Sequence, residues 1–392
     1  MTDTVIVYYH GTFVNRQNGA HARVAELLRH LQASDYRVIV YSYHDHRACP
    51  WKEADVARFA KDFEGIELVL DRRSGWFHRL TFLKLRLIAL LPQLAGRLLA
   101  LRLPSATPHY DALLRQYPDA ALVVNYADGL VELNGVRGRA AIVETHDLKF
   151  VNAAKSLGRR LTSLKTMLSA RAEMELLDRA DTLIAIAPPE AAIFRLFYAS
   201  KPVLLIPAYA LAPAIVRAER LRYDLLFVGS ENVLNVDGLI GFIAAHRDWL
   251  ATRSLAVVGR VCFDERVCAA ASDLAGVTLC GYVDDLDAFM AACKLLIAPV
   301  DGTGLKIKVL EALAVGKPVF ASDSALAGLP PGYEACAFPI DEAAMQRLLQ
   351  DDAQRERAQE AAIAYCRERL IGEDLAKLHV RLRHGASGLP SD

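Results

Sequence analysis

Two lysines and a glutamate stand at unusual positions in one glycine-rich stretch, Leu295–Ser322, LLIAPVDGTGLKIKVLEALAVGKPVFAS. The pattern predicts a buried strand, a turn opened by Gly302 and Gly304, a helix that begins near Gly304, and a second buried strand. Lys306 and Lys308 then fall in the first helical turn, where the helix dipole already favours anions. Glycines, free backbone N–H groups and lysines together favour the binding of a phosphate or diphosphate.

The glutamate of this stretch, Glu311, is embedded in the apolar run LEALA. A carboxylate among residues that favour burial needs hydrogen-bond donors, and the hydroxyl groups of a ribose or a sugar would supply them. The alternative is a solvated helix face on which Lys308 and Glu311 pair at i, i+3 spacing. Because glycines, lysines and a carboxylate converge on one helix start, we favour the ligand interpretation.

The bulk properties of the chain exclude several classes of protein. Its 392 residues suffice for two domains, and its net charge of zero argues against nucleic acid as a partner. Seven cysteines, an odd number without a CxxC pair, indicate neither a disulfide framework nor a zinc site, so no metal is expected. We find no apolar run suited to spanning a bilayer and no basic segment typical of a signal peptide, and we therefore expect a cytoplasmic protein.

The order of predicted elements indicates an α/β fold. Residues 5–41 read as a β-loop-α-β unit that opens a doubly wound sheet, although its loop lacks the G-x-G-x-x-G fingerprint. A long helix is predicted over Lys155–Arg179. The proline-rich run Pro207–Ala214 is the best linker, which gives domains at 1–208 and 209–370. The helix and tail at 371–392 form a third segment, for which a return to the N-terminal domain is considered.

Four glycines follow predicted strands of the second half: Gly229, Gly259, Gly281 and Gly302. The carboxyl ends of parallel strands share one edge of a sheet, which is where ligands of such sheets bind. Two domains of this kind imply that this edge faces a cleft. The shared position of the glycines favours a nucleotide as the ligand.

Three segments of the second half resemble the donor domain of GT-B glycosyltransferases of the family-4 type, the glycosyl transferases group 1. They are FVGSENVLNVDGL, GYVDDLDAFMAACKLLIAPV and GTGLKIKVLEALAVGKPVFAS, which together span roughly Leu225–Leu329. The first half is similar only through NGAHARVAELLRHL and ETHDL. The resemblance implies two Rossmann-like domains facing a central cleft and a nucleotide-sugar in the C-terminal one.

By position, the resemblance implies that Glu311 binds the ribose of the donor. It also implies that Lys308 and the N–H groups near Gly302 face the diphosphate. Thr303 stands where many relatives carry an acidic residue, although Asp301 is close, so the identity of the sugar stays open. The donor-side candidates are Gly229, Ser230, Gly302, Thr303, Gly304, Leu305, Lys306, Lys308 and Glu311.

Candidates for the acceptor side lie in the first half. His146 and Asp147 follow the predicted strand AIVET, and either could serve as the general base that takes the proton of the acceptor hydroxyl. The alternative is that Asp147 caps the next helix and His146 pairs with it. Lesser candidates on the first loop are His10, Asn18 and Gly19.

The segment Arg72–Pro104 carries seven cations and no acidic residue, interleaved with leucines. A basic helix with a broad apolar face suits the headgroup layer of an anionic membrane. The alternative is a core helix whose arginines extend outward into water. We favour membrane contact, because charges of one sign are unusual on an ordinary surface helix.

The resemblance, together with these observations, implies a hexosyltransferase that moves a sugar from a nucleotide-sugar to a lipid-linked glycan acceptor, at the inner face of the cytoplasmic membrane. It would act as a peripheral membrane enzyme of polysaccharide or glycolipid assembly. The nucleotide-sugar is a co-substrate, and no cofactor or metal is expected if the lysines and the helix start neutralise the leaving diphosphate. A GT-B nucleotide-sugar epimerase and a non-catalytic sugar-binding subunit remain as alternatives.

Overall fold

The computed structural model describes residues 3–15, 18–73, 75–101, 107–133, 140–218, 220–283, 285–372 and 374–384. The chain divides into two compact units. The N-terminal unit comprises Met1–Ile186, Glu190–Ala210 and Glu373–Asp392, and the C-terminal unit comprises Ala187–Pro189 and Leu211–Gly372.

The N-terminal unit contains a parallel sheet of seven strands among its described residues. These are β1 Thr4–Tyr8, β2 Arg37–Tyr43, β3 Glu67–Asp71, β4 Ala121–Asn125, β5 Ala141–Glu144, β6 Thr182–Ala185 and β7 Val203–Leu205. The helices of the first half are α1 Gly19–Ala33, α2 Glu53–Asp62, α3 Gly75–Leu90, α4 Ala95–Ala100, α5 Pro108–Gln116, α6 Gly129–Glu132, α7 Lys149–Ser156, α8 Leu164–Leu177 and α9 Pro188–Phe197. The strand order β3-β2-β1-β4-β5-β6-β7 reverses direction between β1 and β4.

The C-terminal unit contains a second parallel sheet. Its strands are β8 Tyr223–Val228, β9 Leu255–Val258, β10 Val277–Gly281, β11 Cys293–Ala298, β12 Val319–Ala321 and β13 Ala337–Pro339. Its helices are α10 Val233–Ala245, α11 Arg247–Leu250, α12 Glu265–Ala271, α13 Leu286–Ala291, α14 Ile307–Ala314, α15 Asp323–Leu326, α16 Glu342–Gln350 and α17 Asp352–Tyr365. The order β10-β9-β8-β11-β12-β13 reverses between β8 and β11. The predicted α/β class with two doubly wound sheets is therefore confirmed.

The central strands are apolar on both faces because helices cover both sides of the sheet. In β1, Ile6 and Tyr8 belong to one hydrophobic cluster, and Val5 and Val7 belong to another. Successive side chains of a strand point to opposite faces, so alternate residues of one short run supply two separate cores. This explains why the strands read as continuous apolar runs rather than as alternating patterns.

The single helix predicted over Lys155–Arg179 is wrong, because the structure has two helices in this region. The first, α7, ends at Ser156, and Gly158 follows with a φ of +59°. Ser163 then starts α8 by accepting a hydrogen bond from the Thr166 amide on its Oγ. A glycine in the left-handed region and a new N-cap together end one helix and begin another.

The helix of the glycine-rich stretch, α14, begins at Ile307, three residues later than expected. Gly302 and Gly304 adopt φ values of +113° and +77°, which are incompatible with a helix. Lys306 is consequently the N-cap residue, and Lys308 lies in the first turn.

The last described helix, α18 Asp374–His384, packs on the N-terminal unit. The Leu205 amide donates to Asp374 Oδ2 at 2.8 Å, and the His379 ring stacks on Tyr36 with centroids 5.6 Å apart. Leu378 and Leu382 join the apolar cluster of this unit. The C-terminal segment therefore contributes core residues to the first sheet.

Helix α10 carries two glycines that stand in different surroundings. A Cβ on Gly238 would lie 1.9 Å from the Pro299 carbonyl oxygen, whereas a Cβ on Gly241 would meet nothing within 4 Å. We expect Gly238→Ala to lower the free energy of unfolding by about 1–3 kcal/mol, because the helix must move away from the end of β11. Gly241→Ala, the matched control, should raise it by up to about 1 kcal/mol through helix propensity.

Urea unfolding of both variants checks this expectation. A loss of stability in Gly241→Ala, or none in Gly238→Ala, would show that α10 does not approach the strand end as closely as described.

Candidate functional site

The four strand-end glycines of the C-terminal unit lie along the carboxyl edge of its sheet, on the neighbouring strands β10, β9, β8 and β11. The Gly259 amide donates to the Gly281 carbonyl at 2.7 Å, and a Cβ on Gly259 would lie 2.3 Å from the Gly229 carbonyl oxygen. These glycines therefore let adjacent loops touch, which brings bare backbone together at the position where the strand order reverses.

The turn before α14 is held by its own side chains. The Gly302 amide donates to Asp301 Oδ1 at 2.7 Å, and Lys306 Nζ donates to the Thr303 carbonyl at 2.7 Å. Leu305 is buried beneath the turn. Lys306 thus fastens the turn at the start of the helix instead of extending into water.

Lys308 connects the helix start to the first strand of the unit. Its Nζ donates to the Val228 carbonyl at 2.7 Å and to Asn235 Oδ1 at 2.8 Å, and it lies 4.5 Å from the centre of the Phe227 ring. Both acceptors are neutral, and burial together with the charge of Lys306 lowers the pKa of Lys308 to about 7. An anion beside this ammonium group would favour its charged form.

Asn235 also donates from Nδ2 to Ser230 Oγ at 3.0 Å, so the loop after β8 and the start of α14 form one hydrogen-bonded group. Glu311 lies half-buried one turn beyond Lys308, between the buried Leu310 and Ala312. Residues three apart on a helix share a face, which places both side chains on the same side of α14. The structure therefore brings Ser230, Lys308 and Glu311 to one end of the second sheet.

The acceptor-side candidates lie at the carboxyl edge of the first sheet, where His10 follows β1 and His146 follows β5. His146 Nε2 is 2.8 Å from Asn125 Oδ1, and Asn125 Nδ2 donates to the Tyr8 carbonyl at 2.9 Å. Since the Asn125 amide nitrogen is engaged as a donor, its oxygen accepts, and Nε2 of His146 carries the hydrogen. Nδ1 is then the basic nitrogen. Burial lowers the pKa of His146, which keeps the ring neutral.

The backbone around His146 is strained. His146 and Tyr126 have φ values of +60° and +65°, in the left-handed region that non-glycine residues rarely adopt. Their rings lie 4.4 Å apart. Such strain costs on the order of 1–3 kcal/mol per residue and concentrates at functional sites.

A row of rings continues from this pair along the sheet edge. The centroid distances are 6.0 Å from Tyr126 to His10 and 4.4 Å from His10 to His46. Lys149 lies over Tyr126 at 5.8 Å and forms an ion pair with Asp128. Sequence reasoning missed Tyr126 and His46 as site residues. The sequence signal for these two residues was weak. Tyr126 only follows β4 and His46 only follows β2, and polar residues are common in loops after strands.

The remaining candidates have local structural contacts. Asp147 Oδ2 accepts from Asn152 Nδ2 at 2.8 Å, which links it to α7. Asn18 caps α1 by accepting from the His21 amide at 3.0 Å, and Gly19 is the first residue of that helix. The Asn18 contact is that of an N-cap. The N-cap residue of α7 is Leu148 and not Asp147, and the partner of the His146 ring is Asn125.

The comparisons with known proteins agree with this geometry. Residues 222–351, which include the glycine edge, Lys308 and Glu311, match the profile of the family described as Glycosyl transferases group 1. No curated protein matches the sequence.

Solved structures match almost the whole chain. The sucrose-phosphate synthase of Thermosynechococcus elongatus gives a TM-score of 0.66 at 15% identity, covering 97% of this chain and 98% of that one. HepE of Anabaena, in complex with UDP and glucose, gives 0.60 at 15% identity and covers 98% and 100%. WaaG, a glycosyltransferase involved in lipopolysaccharide biosynthesis, gives 0.55 at 15% identity and covers 96% and 99%.

The fold is that of GT-B glycosyltransferases, and residues 222–351 match the glycosyl transferases group 1, as the sequence resemblance predicted. The glycosyl transferase group 1 match itself lies in the C-terminal unit, which carries the donor-side candidates. None of the described helices is long and apolar enough to cross a membrane.

The neutral histidines of the first sheet edge predict a pH dependence of stability. His21, buried in α1, has its pKa lowered by burial to about 4, against about 6.5 in an unfolded chain. Below pH 6.5 the unfolded state therefore binds a proton that the folded state does not, and stability falls as the pH falls. We expect His21→Phe to remove about 1.4 kcal/mol per pH unit of this slope between pH 6.5 and 4.

Urea unfolding at a series of pH values measures the slope. Parallel curves for the wild-type protein and His21→Phe would mean that His21 is protonated in the folded state as readily as in the unfolded state.

Proposed function

We propose that this glycosyltransferase transfers a sugar from a nucleotide-sugar bound by the C-terminal unit to a lipid-linked glycan acceptor bound by the N-terminal unit. The observation that carries the donor half is the group at the start of α14. Lys308 has a half-buried ammonium group whose acceptors are neutral. Glu311 follows one turn later, and both lie beside the glycines at the edge of the sheet. No metal is needed in this proposal, because Lys308, Lys306 and the helix start supply positive charge for the leaving diphosphate.

The donor arrangement divides recognition between two residues. Lys308 faces the diphosphate, where the anion compensates for the burial of the ammonium group. Glu311 accepts hydrogen bonds from the ribose hydroxyls. Because HepE was solved with UDP, uridine diphosphate is the first nucleotide to test.

Replacing Glu311 by Ala should weaken UDP binding at least about tenfold, since a hydrogen bond to a charged group is typically worth about 1.5–3 kcal/mol. Lys308→Ala should weaken UDP binding more than uridine binding, because its partner is the diphosphate. Calorimetry with UDP and uridine measures both effects. Glu356→Ala, on the exposed side of α17, is the matched control.

Unchanged affinity in Glu311→Ala would remove this carboxylate from the site. Equal losses for UDP and uridine in Lys308→Ala would indicate that the lysine acts by holding α14 against β8.

On the acceptor side, a side chain at the end of β5 takes the proton of the acceptor hydroxyl as its oxygen bonds to the sugar. His146 offers Nδ1 of a neutral ring, and Asp147 offers a carboxylate. The orientation of His146 by Asn125 and the strained backbone support the histidine. The carboxylate remains the second candidate.

We expect His146→Ala or Asp147→Ala to abolish sugar transfer while leaving UDP affinity near the wild-type value, since UDP binds the other unit. Transfer assays paired with calorimetry check this, with Asp119→Ala in the exposed turn before β4 as control. If both variants transfer sugar at the wild-type rate, the base lies elsewhere, and His10 is next to be tested.

An epimerase and a non-catalytic subunit are separated from this proposal by product analysis. A labelled UDP-sugar incubated without acceptor should remain unchanged apart from slow hydrolysis. Conversion to an isomeric UDP-sugar would instead identify an epimerase. An intact donor in the presence of every tested glycan and glycolipid acceptor would favour a non-catalytic subunit.

The lipid-linked acceptor is supported by the surface of α3. The inner face of this helix buries Phe77, Thr81, Lys84 and Ile88. On the outer face, Trp76 is 74% exposed, and the exposed fractions of Phe82, Leu83 and Leu90 are 50–58%. Exposed aromatic and leucine side chains next to arginines suit an anionic lipid surface. Arg86 lies over the Phe82 ring at 4.4 Å, so the basic and apolar groups are intermixed.

The structure changes the role of some cations in this segment. Lys84 is buried and donates to the Leu101 carbonyl at 2.9 Å, and Arg73 pairs with Glu132 at 3.2 Å beneath the Tyr43 ring. These two are internal. Arg72, Arg79, Arg86 and Arg97 are exposed, and Arg102 lies outside the described residues.

A second segment extends this surface. Helix α8 packs against α3, and residues 155–171 carry five cations and no acidic residue. Leu164 is 76% exposed, and Leu157, Leu161 and Met167 are also exposed. WaaG, a structural neighbour, is involved in lipopolysaccharide biosynthesis, which is consistent with an acceptor built on a lipid.

We expect the wild-type protein to float with anionic vesicles at low salt and to dissociate at high salt, at about 1 kcal/mol per cation near the surface. Replacing Arg79, Arg86 and Arg97 together by Glu should abolish flotation. The matched control replaces Arg347, Arg357 and Arg369, exposed cations of the C-terminal unit.

Wild-type protein that stays in the soluble fraction on anionic vesicles at low salt would contradict membrane docking. A soluble glycan would then be the acceptor to test. Equal loss of flotation in both triple variants would show that vesicle binding depends only on the net charge of the protein.

A further inference from the structure

Three metal-ligating side chains converge at the edge of the first sheet. His10 follows β1, and His46 and Cys49 lie in the loop after β2. One ligand atom of each lies within 4.8 Å of those of the other two, and His46 Nδ1 is 3.0 Å from Cys49 Sγ. Among the described residues, these three side chains form a group that could bind a metal ion.

The backbone holds these side chains in place without a ligand. The Thr12 amide donates to the Cys49 carbonyl at 2.9 Å, which joins the loop after β1 to the loop after β2. A Cβ on Gly11 would lie 2.3 Å from that carbonyl and 2.6 Å from Cys49 Sγ, so only glycine allows this approach. The Trp51 amide donates to the His44 carbonyl at 2.9 Å and closes the second loop.

We propose that His10, His46 and Cys49 bind one zinc ion and leave its fourth coordination position open. Zinc takes nitrogen and thiolate ligands at about 2.0–2.3 Å in a tetrahedron, which places the ligand atoms roughly 3.3–3.7 Å from one another. The 3.0 Å between His46 Nδ1 and Cys49 Sγ and the 4.8 Å limit on the other pairs lie on either side of this range. Two imidazoles and a thiolate with an open position are typical of a site that also binds water or a substrate oxygen.

The charges around the cluster permit a cation. Arg73 is paired with Glu132 and Lys149 is paired with Asp128, so the two nearby cations are compensated. Imidazoles bind a metal in their neutral form, and the ion would take the place of the thiol proton of Cys49.

The cysteine pattern of the sequence gave no indication of this site, and we expected no metal. The ligands come from two loops that are far apart in the chain, so their spacing has no CxxC signature. The site lies beside Tyr126, 6.0 Å from the His10 ring and next to His146. An oxygen on the open position would therefore lie at the acceptor edge of this unit.

Titration of the chelator-treated full chain with Co²⁺ alone tests the proposal, because cobalt occupies zinc sites and reports a thiolate ligand by a charge-transfer band. We expect one equivalent to bind with this band, and one equivalent of Zn²⁺ to displace it. Cys49→Ser should lose the band, whereas Cys268→Ser, at an exposed cysteine, should keep it. His46→Asn should weaken binding at least about tenfold.

Circular dichroism of each variant shows whether it remains folded, and His46→Asn keeps the test decisive if Cys49→Ser does not fold. The proposal is overturned if the wild-type protein shows no thiolate band at millimolar Co²⁺, if Cys49→Ser retains the band, or if His46→Asn binds as tightly as the wild-type protein. These readouts do not depend on sugar transfer, so they stand apart from the proposed function.

Discussion

The N-terminal unit depends on one buried ion pair. Arg23 on α1 is 1% exposed and Glu144 at the end of β5 is 0% exposed, with Nε and Oε1 2.6 Å apart. Arg23 also donates to the carbonyls of Ile206 and Pro207, and Tyr209 donates from its hydroxyl to Glu144. Because an unpaired buried charge costs several kcal/mol, α1, β5 and the segment after β7 are fixed together.

This pair also positions the sheet edge at which the acceptor-side candidates lie. Glu144 is two residues before His146, so a displaced Glu144 would move the strained turn that orients the histidine. Two residues before Arg23, α1 carries the His21 ring, which lies 5.8 Å from Tyr9. One charge pair thus couples the helix, the strand end and the row of rings, which explains why a polar network is retained in an apolar core.

The two units use the same geometry for different chemistry. In each, the strand order reverses beside the first strand of the sheet, and the loops that follow the neighbouring strands supply the candidate residues. The C-terminal unit fills this edge with glycines and two lysines, which suits phosphate. The N-terminal unit fills it with histidines and tyrosines, which suits proton transfer, hydroxyl recognition and metal binding. Local loop composition, rather than fold, distinguishes the two edges.

The sequence by itself determined the class of fold, and it singled out the glycine-rich stretch as the source of donor-side candidates. Apolar runs, glycine positions and helix periodicity are local signals, which can be recognised without knowing which residues are neighbours in space. They also carried the family resemblance, because the donor-side motifs are contiguous in the chain.

Only the tertiary structure decided which side chains meet. Lys308 reaches Asn235 and Val228, His46 reaches Cys49 and His10, and Lys84 is buried under α4 while Arg86 is exposed. These contacts join loops that follow different strands, or depend on how α3 rotates against α8. The sequence contains the residues but not their distances, because the order of strands in a parallel sheet sets which loops become neighbours.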